Sequence, residues 1–123
     1  PYSPSGMPGV ETSLPLMLTA MQEGKCDLAQ IQKWMCSGPA ALYGIPNKGV
    51  IREGFDADLT LVNLDASKVV SDEEVFSKVK WSPFSGRALT GWPIYTIVGG
   101  NIVFDNGIVR DNVYGKALTY SSQ

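Results

Sequence analysis

The chain has 123 residues, room for one ordinary domain and one core, and its 44% apolar and 18% charged residues are the balance of a globular protein. Ten Lys and Arg against twelve Asp and Glu give a net charge of −2, which leaves no basic footprint for nucleic acid, and no apolar run nears the ~20 residues of a membrane helix. Histidine is absent, which removes imidazole acid–base catalysis, Ser-His and Cys-His nucleophile pairs and nearly every catalytic zinc site as properties of this chain alone.

The chain opens Pro1-Tyr2-Ser3-Pro4-Ser5-Gly6-Met7-Pro8-Gly9, without an initiator Met. Such density of Pro, Gly and Ser marks a loop. It reads either as a flexible tail or as a loop inside a larger protein, and the later motifs favour the second. No signal-peptide pattern is present. Gly6 and Gly9 precede a helix, where free backbone N–H groups suit an anion or a ligand carbonyl, although an ordinary loop can carry the same pattern. Glu11 fits a helix N-terminal charge better than a catalytic acid. Thr12 and Ser13 are N-cap candidates, with Pro15 in the first turn. Leu14, Leu16, Met17, Leu18 and Met21 recur at helical spacing up to Gly24, a C′ residue.

Asp27 is expected to cap a second helix, with Leu28, Ile31, Trp34 and Met35 on one stripe ending near Ser37-Gly38. Cys26 and Cys36 form neither a CxxC pair nor a metal knuckle, and are expected as buried free thiols in a reducing cytoplasm rather than as a disulfide. Pro39 to Tyr43 predicts a short third helix stopped by Gly44 and Pro46.

After Asn47-Lys48-Gly49 the pattern turns to strands. Asp58 to Leu64 is one, introduced by the turn Glu53-Gly54-Phe55-Asp56. Asp56 and Asp58 share a side at i, i+2, but no cleft or partner accompanies them, so turn formation and strand capping are the expected roles. Ser71 with Glu74 makes a capping box for one helical turn. Lys80-Trp81-Ser82-Pro83-Phe84 with Gly86 reads as a packed loop, and Trp81, Phe84 and Trp92 as a core aromatic cluster. Ile94–Val98, Asn101–Phe104 and Ile108–Arg110, joined at Gly99-Gly100 and Asn106-Gly107, predict a three-stranded meander. Tyr114 to Gln123 carries no assignment. Helices followed by a small sheet with open edges give an α+β arrangement that lacks strands.

Read in order, Gly6-x-x-Gly9-x-Glu11-Thr12, Pro39-Ala40 and Gly44, Lys48-Gly49-x-Ile51, Gly54-x-Asp56-Ala57-Asp58-Leu59, Ser82-Pro83-Phe84-x-Gly86, Leu89-x-Gly91 and Val98-x-Gly100-x-x-Val103 form a series. It resembles the C-terminal third of the cyclic amidohydrolases: dihydroorotase, allantoinase and the hydantoinases. The Lys-Gly and Asp-Ala-Asp-Leu pieces occur across that superfamily, while Ser-Pro-Phe and Leu-x-Gly are most similar to bacterial dihydroorotases.

The resemblance implies an α+β piece in two parts. Residues 1–46 would be the end of a (β/α)8 barrel, with its substrate loop and last helices, and residues 47–123 the C-terminal half of a β-sandwich. It implies a zinc-dependent cytoplasmic parent in which metal-bound hydroxide attacks a ring amide and an Asp shuttles the proton. That parent would interconvert N-carbamoyl-L-aspartate and L-dihydroorotate in pyrimidine synthesis. Allantoinase, a hydantoinase-type enzyme and a non-catalytic dihydroorotase-like partner of aspartate transcarbamoylase are the alternatives; a free-standing small binding domain fits the unfinished sheet poorly. Metal ligands and the catalytic Asp would lie upstream, so this chain holds no catalytic residue, binds no zinc and is expected to be inactive alone. The residues carried over are those of the substrate loop: Gly9 as N–H donor, with Pro8, which has no N–H, and Met7 beside it. The implied partners are a cyclic amide, the rest of the barrel, and either a second copy or aspartate transcarbamoylase, with no nucleic acid and no membrane.

Overall fold

The structure, a computed structural model, describes residues 6–121, so the loop reading of Pro1–Ser5 lies outside it. Helix α1, Val10–Gln22, starts earlier than its hydroxyl residues suggest. Its N-cap is Gly9, not Thr12 or Ser13, because both hydroxyls turn back to the Gly9 carbonyl, at 3.4 and 2.6 Å. They satisfy an acceptor instead of a free amide. Pro15 consequently sits inside the helix, buried, rather than in its first turn. The C-terminus follows the sequence: Gly24 adopts φ +74°, and the N–H groups of Gly24 and Lys25 reach the Met21 and Ala20 carbonyls at 2.9 Å each, a Schellman closure.

Helix α2, Leu28–Gln32, is capped reciprocally. Asp27 Oδ1 accepts the Gln30 N–H at 2.7 Å, and Gln30 Oε1 accepts the Asp27 N–H at 2.9 Å. A π-helical turn, Lys33–Ser37, then runs into helix α3, Gly38–Leu42. Pro39 has no N–H to offer four residues back, and the Gly38 N–H bonds the Lys33 carbonyl five residues back. A Cβ on Gly38 would lie 2.5 Å from that oxygen. The wide turn breaks the expected stripe. Ile31 is buried, whereas Leu28, Trp34 and Met35 are exposed. Both cysteines are free, but Cys36 is exposed and Cys26 only half-buried, which corrects their expected burial.

The sheet is antiparallel throughout, in the order β1 (Leu59–Val69), β2 (Ala88–Val98), β3 (Asn101–Asp105), β4 (Ile108–Val109). The expected meander is its β2–β4 part, and Gly99-Gly100 and Asn106-Gly107 all take positive φ, as tight hairpins require. The ladder between β1 and β2 slips: Asn63 lies opposite Trp92, and Ser67 opposite Thr90. This bulge frees backbone groups, and side chains take them up. Asn63 Oδ1 accepts the Asp65 N–H at 3.0 Å, and Gln22 Nε2 of α1 donates to the Leu64 carbonyl at 3.3 Å.

Helix α1 lies across β2. Leu18, 1% exposed, packs directly on Gly91, where a Cβ would stand 2.6 Å from the Leu18 Cβ. Gly91 also holds φ +93°, so glycine is required there twice over. Beside it, Thr19 Oγ1 accepts the Thr90 N–H at 2.9 Å. Leu18, Leu89, Val70, Val75, Ile31 and Ala40 make the buried apolar core. The expected Trp81–Phe84–Trp92 cluster does not form among the described residues. Trp92 instead lies under the Lys68 ammonium and donates Nε1–H to the Leu89 carbonyl at 2.9 Å, and the aromatic pair is Phe76 with Phe104, edge-to-face at 6.3 Å.

Candidate functional site: an open helix N-terminus and its facing loop

The turn before α1 ends at Gly9, whose carbonyl receives the Thr12 and Ser13 N–H groups at 3.2 and 3.0 Å. No side chain of the described residues caps the helix. Among the described residues, the Val10 and Glu11 amides that precede these are left without a side-chain acceptor, with the helix dipole behind them. Gly9 has φ −131°, and a Cβ built on it meets nothing within 4 Å. Nothing among the described residues asks for glycine here, and none of them fills the space a Cβ would take.

That space belongs to a pocket of about 100 Å³. Pro8 to Thr12 form one wall, and Val75, Ser77, Trp81 and Ser82 form the other. The second wall comes from the segment between β1 and β2. Ser71 starts it by capping a 3-10 turn, Asp72–Glu74, with its Oγ accepting the Glu73 N–H at 3.3 Å. The tight turn bonds the Glu74 N–H to the Ser71 carbonyl, so the expected box with Glu74 gives way to this one-sided cap. Asp72 Oδ1 then accepts the Ser82 N–H at 2.8 Å, and Lys80 Nζ donates to the Val75 carbonyl at 2.6 Å. Ser82 Oγ accepts the Phe84 N–H at 3.2 Å, which explains the Ser-Pro-Phe spelling as a local turn.

Of the residues singled out from sequence, Pro8 and Gly9 line this pocket, whereas Met7 is 68% exposed and does not. Trp81 and Ser82 line it too, although sequence alone reads them as loop packing. Glu11 does more than meet the helix dipole: its carboxylate accepts the Phe76 and Ser77 N–H groups. No local spacing signals a bond across 65 residues.

Asp56 and Asp58 do not line the pocket and have the structural role their spacing suggests. Both pair with Lys48, and the other oxygen of Asp58 accepts the Gly99 N–H at 2.7 Å. The Lys48 ammonium, followed by the Gly99 amide, holds the Asp58 carboxyl below its usual range, and the hydrogen bonds to Asp58 and Asp56 raise Lys48. This latch fastens the loop before β1 to the β2–β3 turn.

No group of three or more His, Cys, Asp or Glu side chains among the described residues is placed to hold a metal ion. The residues here do not fit a zinc site. No helix among them is long and apolar enough to cross a membrane.

A glycine turn leading into a helix, with a loop from the sheet facing it, encloses a small corner pocket. Residues 8–103 match the amidohydrolase family, and the chain belongs to that family. It is 39% identical over 109 residues to dihydroorotase from Methanosphaera stadtmanae, covering 88% of this chain and 25% of that protein. It is equally 39% identical over 118 residues to L-hydantoinase from Paenarthrobacter aurescens, covering 94% and 26%. Among solved structures, the L-hydantoinase (dihydropyrimidinase) of Arthrobacter aurescens superposes with a TM-score of 0.87 at 40% identity, over 93% of this chain and 26% of that one. The chain thus spans about a quarter of the length of the curated relatives it matches.

Proposed function

We propose that this chain is the substrate-loop and sheet portion of a dihydroorotase-type cyclic amidohydrolase. Residues 1–46 would close the catalytic barrel and residues 47–123 would form part of its β-sandwich, in a cytoplasmic enzyme of pyrimidine synthesis. The observation that carries the reading is the free space in front of Gly9 at the uncapped start of α1. A ring carbonyl or carboxylate brought there would meet the Gly9 N–H, with Pro8 shaping the turn and the exposed Met7 preceding it in the chain, outside the pocket lining. Zinc, where the family uses it, would supply its chemistry from ligands outside this chain. What the chain contributes is orientation: backbone donors fixed by a helix need no reorganisation when substrate arrives.

The isolated chain is therefore expected to show no turnover of dihydroorotate above a blank, and measurable turnover would overturn that expectation. The intact protein assayed on dihydroorotate, allantoin and hydantoins tests the rest. Turnover of dihydroorotate that weakens in Gly9→Ala supports the reading. Turnover of hydantoins alone would transfer it to the second candidate, which the L-hydantoinase favours by matching further along the chain. Activity on none of the rings would leave a non-catalytic dihydroorotase-like protein, with aspartate transcarbamoylase or a second copy as the partner to test.

A further inference from the structure

Among the described residues, one side chain bridges the two walls of the pocket beside Gly9 by hydrogen bonds. Glu11 lies in the first turn of α1, two residues after Gly9, and it divides its carboxylate between consecutive amides of the facing loop. Oε2 accepts the Phe76 N–H at 3.0 Å, and Oε1 accepts the Ser77 N–H at 2.8 Å. Two adjacent amides on the two oxygens of one carboxylate fix a loop in orientation as well as in distance. The other bonds of the loop, Asp72 to Ser82 and Lys80 to Val75, shape it internally. Among the described residues, hydrogen bonds between this loop and α1 come from Glu11 alone.

We infer that Glu11 is a positioning residue, which clamps the Val75–Ser82 loop onto the Pro8–Gly9 turn and so sets the wall that a bound ring faces. The inference rests on the reading of Gly9 as a substrate contact. A carboxylate that served only the helix dipole would have no need of length, and Asp would replace it with little loss. The clamp does need length. Glu11→Asp keeps the charge and withdraws it by one methylene, whereas Glu11→Gln keeps the reach and one acceptor oxygen.

Amide hydrogen exchange and steady-state kinetics on the intact protein separate the cases. In Glu11→Asp and Glu11→Ala, exchange at Phe76 and Ser77 is expected to accelerate by about tenfold or more. KM for the ring substrate is expected to rise about tenfold with kcat within about threefold, and Glu11→Gln should fall between these variants and the parent. Unchanged exchange would show that the clamp is not made. Faster exchange with unchanged KM, while Gly9→Ala raises KM, would leave Glu11 merely structural and the substrate turn intact. Unchanged KM in both Gly9→Ala and the Glu11 variants would remove the substrate turn itself, and the inference with it.

Discussion

At Gly91 a methyl group would stand 2.6 Å from the Leu18 Cβ, an atom one bond from the α1 backbone that cannot swing aside. The backbone there is also left-handed, at φ +93°. Gly91→Ala combines conformational strain with overpacking and is expected to cost about 2–4 kcal/mol, read from chemical denaturation of the intact protein. The Lys48–Asp58 pair offers a test with a pH signature. Because Asp58 titrates below an ordinary aspartate in the folded state, its contribution is present above the ordinary value and lost as pH falls through the depressed one. Lys48 is raised, so its contribution is complete below the ordinary lysine value and lost as pH climbs through the folded one. Asp58→Asn should therefore cost about 1–2 kcal/mol near neutral pH, and the difference from the unsubstituted protein should shrink in acid. A gap of constant size down to about pH 2 would show that the charge of Asp58 is not what the latch uses.

Among the elements, the α2–π–α3 run shows how little of a helix depends on its apolar stripe. The cap at Asp27 was legible because Asp and Gln three apart satisfy each other's amides without help from elsewhere. Asp27→Ala is expected to lower stability by about 1 kcal/mol, seen as a fall in melting temperature, and an unchanged melting temperature would mean the run is held by its neighbours instead. The π turn was not legible. It arises because Gly38 and Pro39 follow one another in a helix that continues, and it turns Trp34 and Met35 to solvent. Strand β1 shows the same division. Its apolar start was visible, but its extension to Val69 depends on β2 pairing across a bulge whose freed carbonyl at Leu64 is met by Gln22.

For the whole molecule, surface area is the informative quantity. The chain exposes 9016 Å², whereas a folded monomer of its mass exposes about 6,500 Å². The difference is on the scale of an obligate interface. Trp34, Leu42, Tyr43, Leu61, Ile102 and Ile108 are among the large apolar side chains left in water. Light scattering after size-exclusion chromatography of the isolated chain, at micromolar concentration, is expected to show self-association, accompanied by binding of an apolar dye. A monodisperse monomer that binds no dye would mean that these surfaces are tolerated as they stand.

The sequence by itself determined what depends on near neighbours: the Schellman end at Gly24, the Asp27 cap, the two hairpin turns, the helix-then-sheet order and the motif series of the amidohydrolase family. Each is set by backbone conformations and hydrogen bonds that close within a few residues. Only the tertiary structure decided which residues face Pro8 and Gly9 across the pocket. Glu11 reaches Phe76 and Ser77, Trp81 faces Pro8 and Gly9, and Lys48 gathers both aspartates, of which Asp58 secures the Gly99 amide. Contacts of that kind depend on where β1 and β2 carry the intervening loops. A side chain's nearest charge or amide across sixty residues is fixed by packing, which no local pattern encodes.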